Sequence, residues 1–589
     1  MLQSARVLRA LGGAVLLLVA NAKAFADRSW AVADSIAVRH VVVDPQGSAP
    51  GWWGSGAGQP IVVAPTERYF FFVTYHGDLA CDCNRYELKV FSIADIEHAL
   101  AANVGGVMQP LRTVNLFSRS NEGAISNAYW EQGGASIIYT GVGTENRRGV
   151  YRLDVASGKV SLLSNPEHDV ALSTLENDRL SYLLPNVVET RITDKLDRYP
   201  AVPLDAGDIG ALLSVQSRPS QWFSKVCKPD QCEEKVTPLA QGPNLESIKS
   251  ARQRWPKTGV LRAFQVRVQQ SRIQAPSIQA YKGTHSISLM ELDPAIQGVT
   301  LAPSQTVAWK EGHRTVRGLL TLPSKATPHT PVPLVIQANQ CVPELFRPDG
   351  AFPTAHATQA LAAQGIAVLE IDIPIVDRRP EVERSPRELE GMVTRIDAAV
   401  EALAARELIQ RERVALLGFS RGGYMTLYTL THPGRVPLRA AIAADSFMGS
   451  FGYYLQSQLY PDNVATSMAA EYESSYGGVF WKNKESWLKH EPLFNVDRVR
   501  TPLLLGIHAN EYNKSVLIAY ADVVGAFALN HKPLEVLFFP KGEHQLQRPR
   551  ERLYSLTATV EWMNFWLQGR PPADPERRAR WQEMAAHSE

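Results

Sequence analysis

The apolar run Val414-Ala415-Leu416-Leu417 leads straight into Gly418-Phe419-Ser420-Arg421-Gly422-Gly423 and then into a helical pattern from Tyr424 to Leu430. A strand that becomes a helix over so few residues must hold one side chain at a sharp, strained corner, and the small glycines beside it let the helix close onto the strand. The serine at that corner stands clear of the sheet with its hydroxyl free to attack a carbonyl. A Gly-rich turn without chemistry is the plain alternative. The strand before it and the helix after it favour a nucleophile, Ser420.

The surrounding pattern agrees. From about residue 305 onward, apolar runs such as Pro333 to Gln337, Ile366 to Leu369, Ala440 to Ala443, Pro502 to Ile507 and Leu534 to Phe539 alternate with helical stretches. The longest of these, near Glu388 to Ile409, puts Met392, Ile396, Ala399, Val400 and Leu403 on one face. Near-continuous apolar strands separated by helices imply a parallel sheet covered on both faces, an α/β domain. From about residue 30 to 290 the runs are short, β-rich and broken by Gly, Asn, Asp and Pro. Tyr69 to Thr74 then Tyr86 to Ile93, and Ser136 to Thr140 then Gly149 to Val155, share one grammar, and Val160 to Leu163 follows a turn. Repeated strand pairs of this kind read as an all-β domain built like a β-propeller, with a β-sandwich or an irregular all-β domain as competing readings. A chain of 589 residues is long enough for both units. The expected division is a signal peptide over 1–26, a propeller-like domain over 27–300 and an α/β-hydrolase domain over 301–589, with Pro294 to Pro303 as linker.

The leader rests on Arg6 and Arg9, the apolar stretch Leu11 to Ala20 and the small-x-small site Ala24-Phe25-Ala26. The apolar stretch is far short of the roughly 20 residues a membrane span needs, so a cleaved signal and an exported, periplasmic protein are expected. With 61 basic against 59 acidic residues, and a formal net charge of +2, nothing argues for a nucleic-acid partner. An exported chain can keep disulfides, and five cysteines leave one over. Cys227 and Cys232 could close a small loop, whereas a bond between Cys81 and Cys83 would need strain. No histidines stand at ligand spacing from the cysteines, and there is no H-E-x-x-H, phosphate-loop or dinucleotide motif, so neither a metal nor a cofactor is expected.

A serine nucleophile needs a base, and the base an orienting carboxylate. In α/β-hydrolases the order is Ser, acid, His, each on a loop after a strand. His544, in Pro540-Lys541-Gly542-Glu543-His544, follows the last apolar strand; His531 and His508 are its rivals. The acid is expected in the loop after Pro502 to Ile507, where Glu511 is the only carboxylate. Asp522 competes but falls in an expected helix from Ser515 to Leu529, facing solvent. The oxyanion donors are expected from the backbone N–H of Arg421 and from the loop Ala338-Asn339-Gln340-Cys341, with Asn339 and Gln340 beside the second donor.

The Gly-Phe-Ser-Arg-Gly-Gly motif, the strand Thr501-Pro502-Leu503-Leu504-Leu505 and the segment Phe539-Pro540 to His544, behind a β-rich half and a signal peptide, resemble the prolyl oligopeptidase family of serine peptidases. The resemblance implies a propeller before an α/β-hydrolase and a Ser-acid-His triad acting on short peptides. Two features depart from it. His508-Ala509-Asn510-Glu511 stands where the family has His-Gly-x-x-Asp, and Asn339-Gln340-Cys341 replaces the family's oxyanion loop. Together with Val335-Ile336-Gln337 and Phe346 to Pro353, these departures are similar to a bacterial branch that includes lasso peptide isopeptidases. Glu233-Glu234 lacks the pattern that surrounds amine-binding glutamates in the dipeptidyl peptidases and reads as a solvated pair. The same triad would serve a carboxylesterase, and the altered acid and oxyanion loops would suit a non-catalytic propeller binding protein.

Overall fold

The computed structural model describes residues 28–587 except 47–59, 144–146, 185–186, 191–200, 204–214, 219–220, 229–230, 244–260, 262, 292, 325, 327–328, 374–383, 447–448, 458–462 and 510–512. The expected signal peptide and Glu511 therefore lie outside the described residues.

The first half forms antiparallel sheets taken in sequence order. One is built on Tyr69–Asp78, Cys83–Ser92 and Arg112–Ser118; the next on Ile125–Trp130, Ser136–Val142, Arg148–Asp154 and Val160–Leu162. A third joins Leu172–Glu176, Arg179–Leu184, Gln221–Val226 and Thr237–Leu239, and a fourth Gln265–Ser271, Gln274–Lys282 and His285–Ser288. Alternation along the strand Tyr69–Asp78 explains how they stack, since successive side chains point to opposite faces. Phe71, Val73 and Tyr75 pack with Ile125, Trp130 and Ile137 of the second sheet. Phe70 and Phe72 pack with Val266 and Ile278 of the fourth, and with Phe264 just before it. The second sheet turns Ile138 and Val150 toward Leu180 and Tyr182 of the third. Strands buried on both faces, Tyr69–Asp78 and Ser136–Val142, lack the polar-out alternation of a solvated sheet and read as aromatic and β-branched runs, whereas Gln265–Ser271 and Gln274–Lys282 keep a polar, exposed face.

The second half is organised by one large sheet. Its strands are β1 (Ser304–Glu311), β2 (Arg314–Thr321), β3 (Val332–Asn339), β4 (Ala367–Asp372), β5 (Ile409–Phe419), β6 (Leu438–Ala444), β7 (Leu503–His508) and β8 (Leu534–Phe539). Their spatial order is β1-β2-β4-β3-β5-β6-β7-β8, with β3 to β8 parallel and β1 and β2 antiparallel. Val202–Pro203, from the first half of the chain, pairs antiparallel with β8 as a ninth strand. Leu334, Ile336 and Leu416 point to one face, where they meet the expected stripe of the helix Pro386–Ala404, from Met392 to Leu403, joined by Leu389. Val335, Ala415 and Leu417 point to the other face, against the helices Pro549–Gln568 and Pro575–Ala586.

The boundary between the halves is less clean than a linear division. Trp30, Ile36 and Val38 belong to the core on that second face of the large sheet. The expected linker carries Val299–Thr300, which pairs in parallel with Arg28–Ser29. Cys227 bonds Cys232, and Cys341 is free. Cys81 bonds Cys83, the pairing expected to need strain: Asp82 between them takes the left-handed conformation (φ 49°), and the two Cα atoms stand 5.2 Å apart, inside the usual disulfide range.

Candidate active site

Ser420 sits where β5 gives way to the helix α1 (Arg421–Thr431). Its backbone has φ 55° and ψ −123°, a conformation a non-glycine residue adopts only when its surroundings impose it. Two contacts impose it here. The Ser420 N–H donates to the Ala444 carbonyl at the end of β6 (2.9 Å). Gly418 lies so close to the first turn of α1 that a Cβ there would come within 2.0 Å of the Gly422 carbonyl oxygen. The corner is thus built by close approach of helix to strand, and the serine hydroxyl is left partly exposed at its tip.

His544 lies on the segment after β8, with Nε2 3.0 Å from Ser420 Oγ. Its Nδ1 is 2.6 Å from Asp445 Oδ2. A carboxylate accepts only, so Nδ1 carries the proton and Nε2 presents its lone pair to the serine hydroxyl. The Phe419 ring lies beside the imidazole, with centroids 4.8 Å apart.

Among the described residues the carboxylate in contact with His544 is Asp445, which corrects the expected acid, Glu511. Asp445 is the first residue after β6, one strand nearer the nucleophile than the loop of Glu511. Its N–H donates to the Gly506 carbonyl (2.9 Å) and its φ is 43°. That bend aims a fully buried carboxylate across β7 at His544. The His508 N–H (3.2 Å) and the Tyr520 hydroxyl (3.4 Å) donate to Asp445 Oδ1, so the charge is held by donors on several sides. Asp522 is not solvated either: it accepts from Ser450 Oγ (3.0 Å) and Gly452 N (2.9 Å), away from His544. The signal that could have found Asp445 is the apolar run Ala440 to Ala443 followed at once by an acid.

His508, a rival for the base, is buried beneath the triad. Its Nδ1 donates to the Glu543 carbonyl (2.8 Å), tying β7 to the segment that carries His544. Burial pulls its pKa below the ordinary histidine range, outweighing the nearby Asp445 carboxylate, so it serves as a neutral donor. His531 follows the helix Asn513–Leu529 and takes no part. Arg421, beside the nucleophile, holds Glu388 at 2.7 Å and also pairs with Glu471, which anchors the start of α1 to its neighbours. The expected oxyanion loop does follow β3. Asn339 is the last residue of β3 and Gln340 the first after it, and Cys341 donates its N–H to Asp372 Oδ1 (2.6 Å).

Residues 354–570 match the model of the prolyl oligopeptidase family. The lasso peptide isopeptidase AtxE2 of Asticcacaulis excentricus is 25% identical over 246 residues, covering 38% of this chain and 33% of that relative's own length. The solved apo structure of that isopeptidase is similar over 96% of this chain and 100% of the other, with a TM-score of 0.66 at 14% identity. The acylaminoacyl peptidase of Pyrococcus horikoshii covers 89% of this chain and 98% of its own, with a TM-score of 0.56 at 12% identity. The structural likenesses extend the shared fold to the first half of the chain.

Proposed function

Since residues 354–570 belong to the prolyl oligopeptidase family of serine-type peptidases, we propose that this protein hydrolyses amide or isopeptide bonds of short or compact peptides through Ser420, His544 and Asp445. The observation that carries the proposal is the unbroken line from Ser420 Oγ to His544 to Asp445. In this reading Ser420 Oγ attacks the carbonyl while its proton passes to His544 Nε2. Asp445 steadies the imidazolium that forms, and His544 returns the proton to the leaving amine. An acyl-enzyme remains on Ser420, and water activated by the same histidine releases it. The Arg421 N–H, at the start of α1, is the first donor to the developing oxyanion, and Asn339-Gln340 the expected place of the second.

The stacking order of the antiparallel sheets of the first half, fourth to first to second to third, supports the reading of a β-propeller that limits access to the serine. The Cys81–Cys83 and Cys227–Cys232 bonds support an exported, periplasmic protein, because disulfides persist in oxidising compartments. A threaded peptide with an isopeptide linkage is the finer substrate we propose, favoured by the likeness to the isopeptidase along nearly the whole chain.

The test compares wild type with Ser420→Ala on a fluorophosphonate probe, a linear peptide amide, an isopeptide-linked lasso and an aryl ester. Labelling and amide or isopeptide cleavage that both vanish in the variant are the expected result. Ester cleavage alone would make the protein an esterase, and absence of labelling would make it a binding protein.

A further inference from the structure

The segment from Pro540 to Arg548 carries His544 from β8 into the helix α2 (Pro549–Gln568). The residue preceding that helix, Arg548, has a side chain that can only donate, so it cannot cap the free N–H groups of the first turn. The cap comes from the other half of the chain: Arg550 N–H donates to Asp82 Oδ1 at 2.9 Å. Asp82 sits in the turn between the strands Tyr69–Asp78 and Cys83–Ser92, in the left-handed conformation, flanked on both sides by the half-cystines of the Cys81–Cys83 bond.

The neighbours of Asp82 grip the rest of the segment. Asn84 Nδ2 donates to the Gln547 carbonyl (2.8 Å), Asn121 Nδ2 to the Lys541 carbonyl (2.6 Å), and Arg548 Nε to the Arg119 carbonyl (3.0 Å). Gly77 allows this approach, since a Cβ there would stand 2.7 Å from Ile36 Cγ2 and 3.3 Å from Pro549 Cγ. The base is thus carried on one half of the chain and fastened at both ends by the other.

We infer that Asp82 is a positioning residue for His544, and that the Cys81–Cys83 bond holds Asp82 in the conformation this requires; the catalytic part of the inference rests on the peptidase reading above. A dithiol reductant such as dithiothreitol would pass two electrons and two protons to the bond, giving two thiols and its own cyclic disulfide. The turn would then relax and the helix would lose its cap.

Asp82→Ala is expected to lower kcat on the aryl ester by roughly tenfold to a hundredfold, the scale of a small misplacement of a catalytic group, with KM little changed. Asp82→Asn is expected to keep wild-type kcat, because asparagine caps helices as well as aspartate and tolerates the left-handed region. Dithiothreitol should reduce kcat of the wild type but not of Cys81→Ser/Cys83→Ser, which starts from the lowered value; this separates the bond from Cys227–Cys232. An unchanged kcat in Asp82→Ala would overturn the inference. So would a loss that only follows the fraction of folded protein, or one that asparagine fails to restore. Hydrogen exchange reads the clamp without substrate: residues 540–552 should lose protection in Asp82→Ala. That loss in a protein inactive as wild type would strike the peptidase reading and keep the clamp, whereas an active wild type without it would sink the clamp alone.

Discussion

A single carboxylate decides whether His544 can act as a base, because only an acceptor at Nδ1 leaves the Nε2 lone pair facing Ser420. Asp445 fills that place from the end of β6, so Asp445→Asn is expected to lower kcat by about 10⁴ by admitting the wrong tautomer. Glu511→Gln, by contrast, should leave kcat near wild type; steady-state kinetics on the substrate found active in the panel would separate the two. Ser420 and His544 were legible because each is marked locally, one by glycines at a strand-to-helix corner and the other by its place after the last apolar strand. Asp445 was not. It follows its strand directly, between Ala444 and Ser446, with no glycine or proline beside it to flag the bend, while Glu511 stands in the loop where the usual order of such triads leads the eye.

At the scale of single elements, the corner between β5 and α1 depends on the absence of one methyl group. Gly418→Ala would drive a Cβ into the backbone of the first helical turn, where nothing can swing aside. We expect a loss of about 3 kcal/mol or more, at or above the top of the range typical of overpacking because the neighbour is backbone, or no soluble protein at all. Thermal unfolding beside Ser420→Ala, which leaves the corner intact, measures it. The helices and strands of this half were largely readable from period alone, but their ends were not. The helix expected to run to Ile409 stops at Ala404, and Glu407 takes the left-handed conformation (φ 55°) before β5 begins. Alanine, arginine and glutamate are all good helix formers, so no residue there announces the stop.

At the scale of the whole molecule, the two halves are joined through charges as well as apolar surface. Arg272, from the turn between Gln265–Ser271 and Gln274–Lys282, inserts beneath the large sheet and pairs with Glu370 of β4, both nearly inaccessible. Burial pushes the Glu370 carboxyl up and the arginine pulls it back. Arg272→Met would strand that carboxylate and is expected to cost about 3–5 kcal/mol, whereas Arg272→Met with Glu370→Gln should recover much of the loss. Denaturant unfolding of the pair of variants checks it. None of these long-range joints was visible in the sequence, since nothing local marks which arginine meets which glutamate, or that Trp30 will pack under a sheet that begins at Ser304.

The pairing of Val202–Pro203 with β8 has a meaning for how copies of this protein behave toward each other. A parallel sheet ending in a bare strand offers a row of unanswered N–H and C=O groups on which a second chain can add itself. Here the molecule covers part of that rim with its own backbone, and Pro203 has no N–H to offer onward. The short strand thus works as a blunt hem on this one edge, shortening the stretch of β8 on which a neighbour could add itself.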